Sequence, residues 1–253
     1  LGYCCIWISF IMLASYWFKR SNKALAWTII AWVFTVVILP KVSVLVADSK
    51  HPLPARSVYE VQTSLSIAKV GDSHNPNDPY FSEFRNSVLK KYGVDKVEDL
   101  PVNWRGLVMA EGEKISSEVF QQHYKELLNT MDAQRKVAEQ IGSFSPYLIV
   151  AQLSKRLAGT DATVFYGFEQ QAEAYRYGLI QHLNHLHQHE IKLKDDRAQR
   201  LDKSHWRTFD SFQFDPLLLK QNIEGSYQLV VGLLLWLFAG FSLIRLSWNR
   251  VVS

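Results

Sequence analysis

The chain has 253 residues, 48% of them hydrophobic and 21% charged, with a formal net charge of +4. Such a chain can bury a sizeable core, and a small net charge without a long basic run argues against binding nucleic acid. Its two cysteines, Cys4 and Cys5, are adjacent in an apolar run, where a helix would point them in different directions. A disulfide framework is therefore excluded, and we interpret both as small buried apolar residues.

Apolar residues are concentrated at the two ends of the chain, in three runs that approach the ~20 residues needed to cross ~30 Å of hydrocarbon. We predict transmembrane helices at residues 1–18, 24–47 and 227–246, with Pro40 kinking the second helix or ending it early. The chain begins at Leu1 inside the first run, without the features of a signal peptide, so we expect further sequence upstream. Aromatic residues typical of a membrane interface lie near the ends of the runs, at Tyr16, Trp17, Trp27, Tyr227 and Trp248.

Basic residues in two short segments predict the orientation of these helices. The loop at residues 19–23 contains Lys19, Arg20 and Lys23, and the end of the chain contains Arg245 and Arg250. Because short basic segments stay in the cytoplasm, we place this loop and the tail at residues 247–253 inside. Residues 48–226 then form a large domain outside the cytoplasm.

Residues 48–226 show helical periodicity and no alternating segment of useful length, which predicts an all-α domain. Ser145 and Asp161 are expected to cap helices, with Pro146 at a first helical position. The two longest helices are expected to pair as an antiparallel hairpin. The fold class is thus all-α, transmembrane helices plus a large helical extracytoplasmic domain. The helices of the domain are predicted at residues 58–70, 81–92, 115–141, 146–157 and 162–194.

A histidine-rich stretch in the last of these helices is the one candidate metal site. His182, His185 and His189 have i, i+3, i+7 spacing, which places them on one flank of a helix, and His187 falls on another side. Zinc or copper could use this flank if a further ligand completed the site. Surface histidines beside an apolar stripe explain the pattern equally well, so we assign no metal ligand.

The sequence offers no catalytic site. It contains no phosphate-binding G-x-x-x-x-G-K-[ST] loop, no G-x-S-x-G nucleophile turn and no His-Glu-x-x-His zinc helix. Asp161 fits a helix cap better than a catalytic acid. We therefore predict a protein that is not an enzyme, with no catalytic residues, no cofactor-binding residues and no cofactor.

An aromatic segment precedes the last apolar run. Its large residues could pack the domain onto a membrane surface, or they could close the core of the domain, which we favour. They are Trp206, Phe209, Phe212 and Phe214.

Four motifs give the chain a family resemblance. They are PLPARS at residues 52–57, LPVNWRGLVMAEGE at 100–113, SPYLIVAQLSKRLAGTD at 145–161 and FEQQAEAYRYGLIQHLN at 168–184. In this order they resemble a family of type-2 ABC exporter permeases, often labelled multicopper-enzyme-maturation permeases, which have a large extracytoplasmic insert before the final span. The chain departs from this pattern in its histidine-rich continuation and in Trp104, where a smaller aromatic residue is expected.

The resemblance implies a permease subunit of an ABC exporter in a bacterial inner membrane, with about six spans, of which these would be the last three. Its implied partners are a cytoplasmic ABC ATPase subunit, where ATP would be hydrolysed, a second permease subunit and the lipid bilayer. The alternative is a membrane-tethered sensor or adaptor whose extracytoplasmic helical domain binds a ligand or another protein.

Overall fold

The computed structural model describes residues 2–18, 20–215 and 223–252, with side chains described up to Arg245 in the last range. Within these ranges all regular structure is helical and no strand occurs, which confirms the predicted all-α class. Short 3₁₀ turns lie at Val97–Asp99, Leu193–Asp195 and Lys203–Thr208. The α-helices are α1 Gly2–Trp17, α2 Ser21–Val33, α3 Leu39–Lys50, α4 Arg56–Val70, α5 Pro79–Tyr92, α6 Trp104–Gly142, α7 Pro146–Leu157, α8 Ala162–Glu190 and α9 Tyr227–Val252.

The chain divides into two compact units. The first contains Leu1–Leu53, Asn129–Gly167 and Asp215–Ser253, and the second contains Pro54–Leu128 and Phe168–Phe214. This division differs from a single domain at residues 48–226, because Asn129–Gly167 groups with the apolar helices at the chain ends. Helices α6 and α8 each contribute residues to both units.

Pro40 lies inside one long helical segment rather than at its end. Helix α2 continues into α3 through a π-helical turn at Phe34–Ile38, so the segment runs unbroken from Ser21 to Lys50. The prediction that Pro40 ends the helix early is wrong, since the helix goes on to Lys50. The alternative, a kink, stays a prediction, and a π turn beside a proline is typical of kinked helices. A π turn shifts the hydrogen-bond register by one residue, which helps a helix to accommodate a missing N–H.

In the described part of the chain, two helical segments are long and apolar enough to cross a membrane, Ser21–Lys50 with 30 residues and Tyr227–Arg245 with 19. In their most apolar stretches only 6% and 0% of the residues are buried, so the protein itself does not cover them. The first predicted span is a shorter apolar helix, α1, with 16 residues. Cys4 and Cys5 are exposed thiols on it, contrary to the buried positions we expected.

Helix α1 packs in the first unit between α9 and α2. A side-chain atom of Leu233 lies 3.5 Å from the Cβ position of Gly2, and Ser9 lies 3.1 Å from that of Gly240. The residue numbers of the contacting residues rise along both helices, from Gly2 with Leu233 to Ser9 with Gly240. Helices α1 and α9 therefore run in the same direction. Helix α2 runs the opposite way after the short turn that follows Trp17, with Phe18 stacked on Trp27 at a centroid distance of 5.9 Å.

Helix α6 begins at Trp104, eleven residues before the predicted start at residue 115. The Asn103 side-chain oxygen accepts a hydrogen bond from the Arg105 N–H at 2.9 Å and so opens the first turn. Gly106 and Gly112 lie inside this helix, and their Cβ positions lie 2.8 Å from the Gln188 nitrogen and 3.1 Å from Ser73. Both glycines therefore mark close packing, which at Gly106 leaves no room for a Cβ.

The remaining boundaries agree closely with the prediction. Helices α4 and α5 begin two residues early, and α7 has the predicted bounds. Helix α8 ends at Glu190, four residues before the predicted end at 194. The predicted loop at residues 19–23 is shorter, because Ser21 already begins α2, and the predicted tail at 247–253 is helical as far as Val252. Lys19 lies outside the described residues, and Arg250 lies outside the described side chains.

Candidate functional site

Helices α6 and α8 pair in antiparallel fashion in the second unit. The Gln181 side-chain amide donates to the Ala110 carbonyl at 3.0 Å, and Arg176 binds Glu113 at 2.8 Å. Further along α6, the Tyr124 hydroxyl donates to the Glu169 carboxylate at 2.6 Å. As the residue numbers of the bonded partners rise along α6, they fall along α8. The two helices are therefore antiparallel, which confirms the predicted hairpin.

A groove with a volume of about 930 Å³ runs along this helix pair. On α6, Phe120 and Tyr124 are one turn apart and stack at 5.9 Å with nearly parallel rings. On α8, Phe168 and Ala172 are also one turn apart and supply the facing apolar surface. Exposed fractions of 38% for Phe120 and 43% for Phe168 leave both rings accessible from the groove.

The charged side chains of the groove are not all neutralised. Arg176 donates hydrogen bonds to Glu173 and Glu113. These bonds raise the pKa of the guanidinium, and the bond to Glu173 has the larger effect. Glu169 is half-buried and accepts the Tyr124 hydroxyl, but no basic side chain among the described residues pairs with it. The groove thus combines aromatic faces with one carboxylate that lacks a counter-ion in the described part of the chain.

A second polar cluster fastens the end of the hairpin. Asn103 is 2% exposed, and its amide donates to Asp196 at 2.8 Å and to the Ile191 carbonyl at 3.1 Å. Arg105 donates to the second oxygen of Asp196 at 3.0 Å, and His187 lies 2.5 Å from the first. The hydrogen bond with His187, followed by those from Asn103 and Arg105, lowers the pKa of Asp196. Both carboxylate oxygens of Asp196 and both polar atoms of the Asn103 side chain have hydrogen-bond partners within the cluster, which indicates a structural role.

The histidine flank does not form the arrangement that a metal needs. The rings of His185 and His189 lie 4.4 Å apart, but His182 packs edge-on against Phe209 at 4.9 Å. Among the described residues no three His, Cys, Asp or Glu side chains are grouped to hold a metal ion. Within this histidine-rich stretch, the described hydrogen bond to a side chain is made by His187, which the spacing had placed on another side of the helix.

The aromatic segment packs against helix α8 in the second unit. Phe212 and Phe214 meet Phe168 at centroid distances of 5.6 and 5.7 Å. The Tyr175 hydroxyl adds a hydrogen bond to the Asp210 carbonyl at 2.7 Å. The two phenylalanines therefore contact the second unit at the partly exposed ring of Phe168, and Trp206 is 65% exposed, so the core-closing interpretation stays a prediction.

In the first unit the SPYLIVAQLSKRLAGTD motif forms α7 and its two ends. The Ser145 hydroxyl caps α7 by accepting the Leu148 N–H, and Asp161 accepts the Thr163 N–H at the start of α8, so both predicted caps are confirmed. Arg156 binds Glu139 at 3.0 Å and reaches the Gly225 carbonyl at 3.4 Å. The motif residues therefore tie three stretches of the first unit together.

The sequence predicts the two helices that form the groove, but it does not predict the groove itself. Tyr124 and Phe168 lie on the predicted apolar stripes, whereas Phe120 and Glu169 lie just beside them. Which of these residues meet depends on the register of α6 against α8, and one sequence does not contain that register. The nearest signal was Glu169 itself, a carboxylate next to an aromatic residue in the FEQQAE motif.

Over the residues that the structure describes, the protein is all-helical, with two helices long and apolar enough to cross a membrane. Residues 60–215 match a family described as a domain of unknown function, DUF3526. Because the match covers more than half of the 253 residues, the chain belongs to this family. Comparisons with curated proteins and with solved structures found no match.

Proposed function

We propose that this chain is the transmembrane permease subunit of an ABC-type exporter, which moves its cargo with energy from a partner ATPase. The observation that carries the proposal is the order of elements: apolar helices, a family domain of helices, then a further apolar helix. That order is the one implied by the resemblance to type-2 ABC permeases with a large insert before the final span.

The apolar helices support a location in a bilayer. Thirty residues of helix from Ser21 to Lys50 extend over about 45 Å at 1.5 Å per residue, more than the ~30 Å of a hydrocarbon core. Large side chains on these helices are open to the surroundings, for example Leu45 at 67% and Phe238 at 71%. A lipid environment removes the cost of exposing such surfaces to water.

The direction of the helices supports three crossings. Helices α1 and α9 run the same way and α2 runs the opposite way, as expected for first, third and second spans of a multi-pass protein. With the basic segments at Arg20, Lys23 and Arg245 in the cytoplasm, the domain between α3 and α9 lies on the periplasmic or extracellular side.

The proposed partners are those that the resemblance to type-2 ABC permeases implies. ATP hydrolysis is assigned to a separate cytoplasmic ATPase subunit, and a second permease chain, identical or related, completes the transport path. To test this, full-length protein is purified from native membranes in mild detergent. We expect a defined complex with an ATPase subunit whose hydrolysis of ATP is lost when its phosphate-binding lysine is replaced. Protein that purifies without any ATPase, from membranes that contain one encoded beside it, would contradict the proposal.

The orientation has its own test. After replacement of Cys4, Cys5 and any further native cysteine of the expressed protein by serine, single cysteines can be introduced at exposed positions. Asn86→Cys on α5 should react with a membrane-impermeant maleimide in intact cells. Ser21→Cys, at the start of α2, should react only after the cells are permeabilised. The reverse pattern would refute the orientation.

The groove of the second unit favours a second candidate, a membrane-tethered sensor or adaptor whose helical domain binds a ligand. A sensor needs an output module in the cytoplasm, whereas an exporter needs further spans. The full coding sequence of the gene separates the two: further apolar helices favour the exporter, and a soluble signalling domain favours the sensor.

A further inference from the structure

The groove between α6 and α8 has the size and lining of a small-molecule site. Its volume of about 930 Å³ lies in the range of ligand pockets, which are mostly apolar with a few convergent polar groups. Here the apolar part is the stacked pair Phe120 and Tyr124 on α6, with Phe168 and Ala172 opposite. An apolar ligand body of modest size would bury these surfaces on binding.

The charge in the groove selects among such ligands. Glu169 is half-buried beside the aromatic rings, and Tyr124 donates its hydroxyl to one carboxylate oxygen at 2.6 Å. Glu173 is already bound to Arg176, and no described basic side chain binds Glu169. A carboxylate removed in part from water gains most from a cation that reaches it.

Aromatic faces beside that carboxylate point to the same ligand chemistry. The ring faces of Phe and Tyr attract cations, and quaternary ammonium groups are commonly held by such rings. Among the described residues, Lys125 also has no ion-pair partner in the groove; it is exposed on the rim, where water and salt screen it more than they screen Glu169.

We propose that this groove binds an amphipathic organic cation, with Glu169 as the counter-ion and Phe120, Tyr124 and Phe168 as the aromatic surface. The ammonium group lies near the carboxylate, and the apolar body lies along Phe168 and Ala172. The proposal goes beyond transport, because such a site would serve an exporter or a sensor equally well. Failure to bind a cation would therefore leave the permease proposal intact.

The test uses the full chain in lipid nanodiscs and benzyltrimethylammonium as the probe, followed by calorimetric titration. Phenylmethanesulfonate, an anion of similar size, is the control ligand. We expect saturable binding of the cation and none of the anion. No saturable heat with the cation, or equal binding of the anion, would overturn the proposal.

Three variants test the residue assignments. Glu169→Gln should weaken binding of the cation about tenfold or more, because it removes a charge-assisted contact and keeps the shape of the side chain. Glu83→Gln removes an equal charge from exposed α5, outside the groove, and should leave the affinity unchanged. Lys125→Gln removes a repulsive charge from the rim and should strengthen binding. Equal affinities in Glu169→Gln and Glu83→Gln would overturn the assignment of the counter-ion.

Other occupants of the groove give different outcomes. In a chain whose native cysteines are replaced by serine, Gln121→Cys on the groove should stay monomeric under mild oxidation in the membrane. A disulfide-linked dimer would show that a second copy covers the groove, and would refute a small-molecule site. Co-purified lipid that the cation cannot displace would refute it as well.

Discussion

The Ser145 hydroxyl donates a hydrogen bond to the Thr35 carbonyl at 2.8 Å, across 110 positions of sequence in the first unit. Thr35 lies in the π turn, where the Leu39 N–H bonds to Phe34, and the next residue, Pro40, has no N–H to give. The Thr35 carbonyl thus lacks a backbone donor within its own helix. Ser145 is fully buried and satisfies this carbonyl while its oxygen also accepts the Leu148 N–H.

Ser145→Ala should destabilise the protein by about 1–3 kcal/mol, because it removes a helix cap and leaves a buried carbonyl unpaired. The measurement is thermal unfolding of the purified full-length protein. Ser143→Ala, which removes an exposed hydroxyl two residues away, is the matched control and should have little effect. The cost of Ser145→Ala should be smaller in a Pro40→Ala background, where a restored N–H can serve the π turn. Equal costs in both backgrounds would contradict the link between the two sites.

Asp196→Asn should destabilise the protein by about 2 kcal/mol at neutral pH, since Asp196 accepts hydrogen bonds from Asn103, Arg105 and His187. These contacts lower the pKa of Asp196 from its ordinary value of 3.8, so the charged form stabilises the fold. This contribution is complete above the ordinary value and is lost as the pH falls through the lowered pKa. The difference between wild type and Asp196→Asn should therefore shrink in strongly acidic buffer. Asp195→Asn, next to it and exposed, should unfold like wild type, and a difference that is constant with pH would refute the role of Asp196.

The sequence predicted the helix boundaries that depend on neighbouring residues, such as caps and turns. Helix α7 has the predicted bounds because Ser145 and Pro146 start it and Gly159, at φ 65°, takes the left-handed conformation just after it. The start of α6 was missed, and the part of the helix that the prediction left out contains Gly106 and Gly112. Their role is tertiary: each permits a neighbour to approach, and one sequence does not name the neighbour.

The sequence also did not predict that residues 129–167 group with the apolar helices. It rests on long-range contacts such as Ser145 with Thr35 and Gln134 with the His51 carbonyl at 2.7 Å. The groove depends in the same way on the register that brings Tyr124 to Glu169. Periodicity predicts which face of a helix is apolar, but not the element that this face meets.

Gly106→Ala should destabilise the end of the hairpin by more than about 1 kcal/mol, although alanine is the better helix former. An added Cβ would lie 2.8 Å from the backbone nitrogen of Gln188, too close for any contact of that kind. Gly178→Ala on α8 is the matched control, since nothing lies within 4 Å of its Cβ position, and it should stabilise by about 0.5–1 kcal/mol. Chemical unfolding of both variants gives the comparison. Two stabilised variants would show that α6 and α8 are not in close contact at Gly106.

Phe238→Lys should impair insertion of α9, because a charge at the centre of a spanning helix costs about 2.5–3.5 kcal/mol. Phe238 is 71% exposed and so would face lipid in the proposed orientation. A green fluorescent protein fused to the end of the chain reports the outcome, since it fluoresces in the cytoplasm and not when exported unfolded. We expect the signal to fall for Phe238→Lys and to persist for Phe238→Leu, and for Ser87→Lys on exposed α5. Unchanged fluorescence in Phe238→Lys would indicate that α9 does not cross the bilayer at this residue.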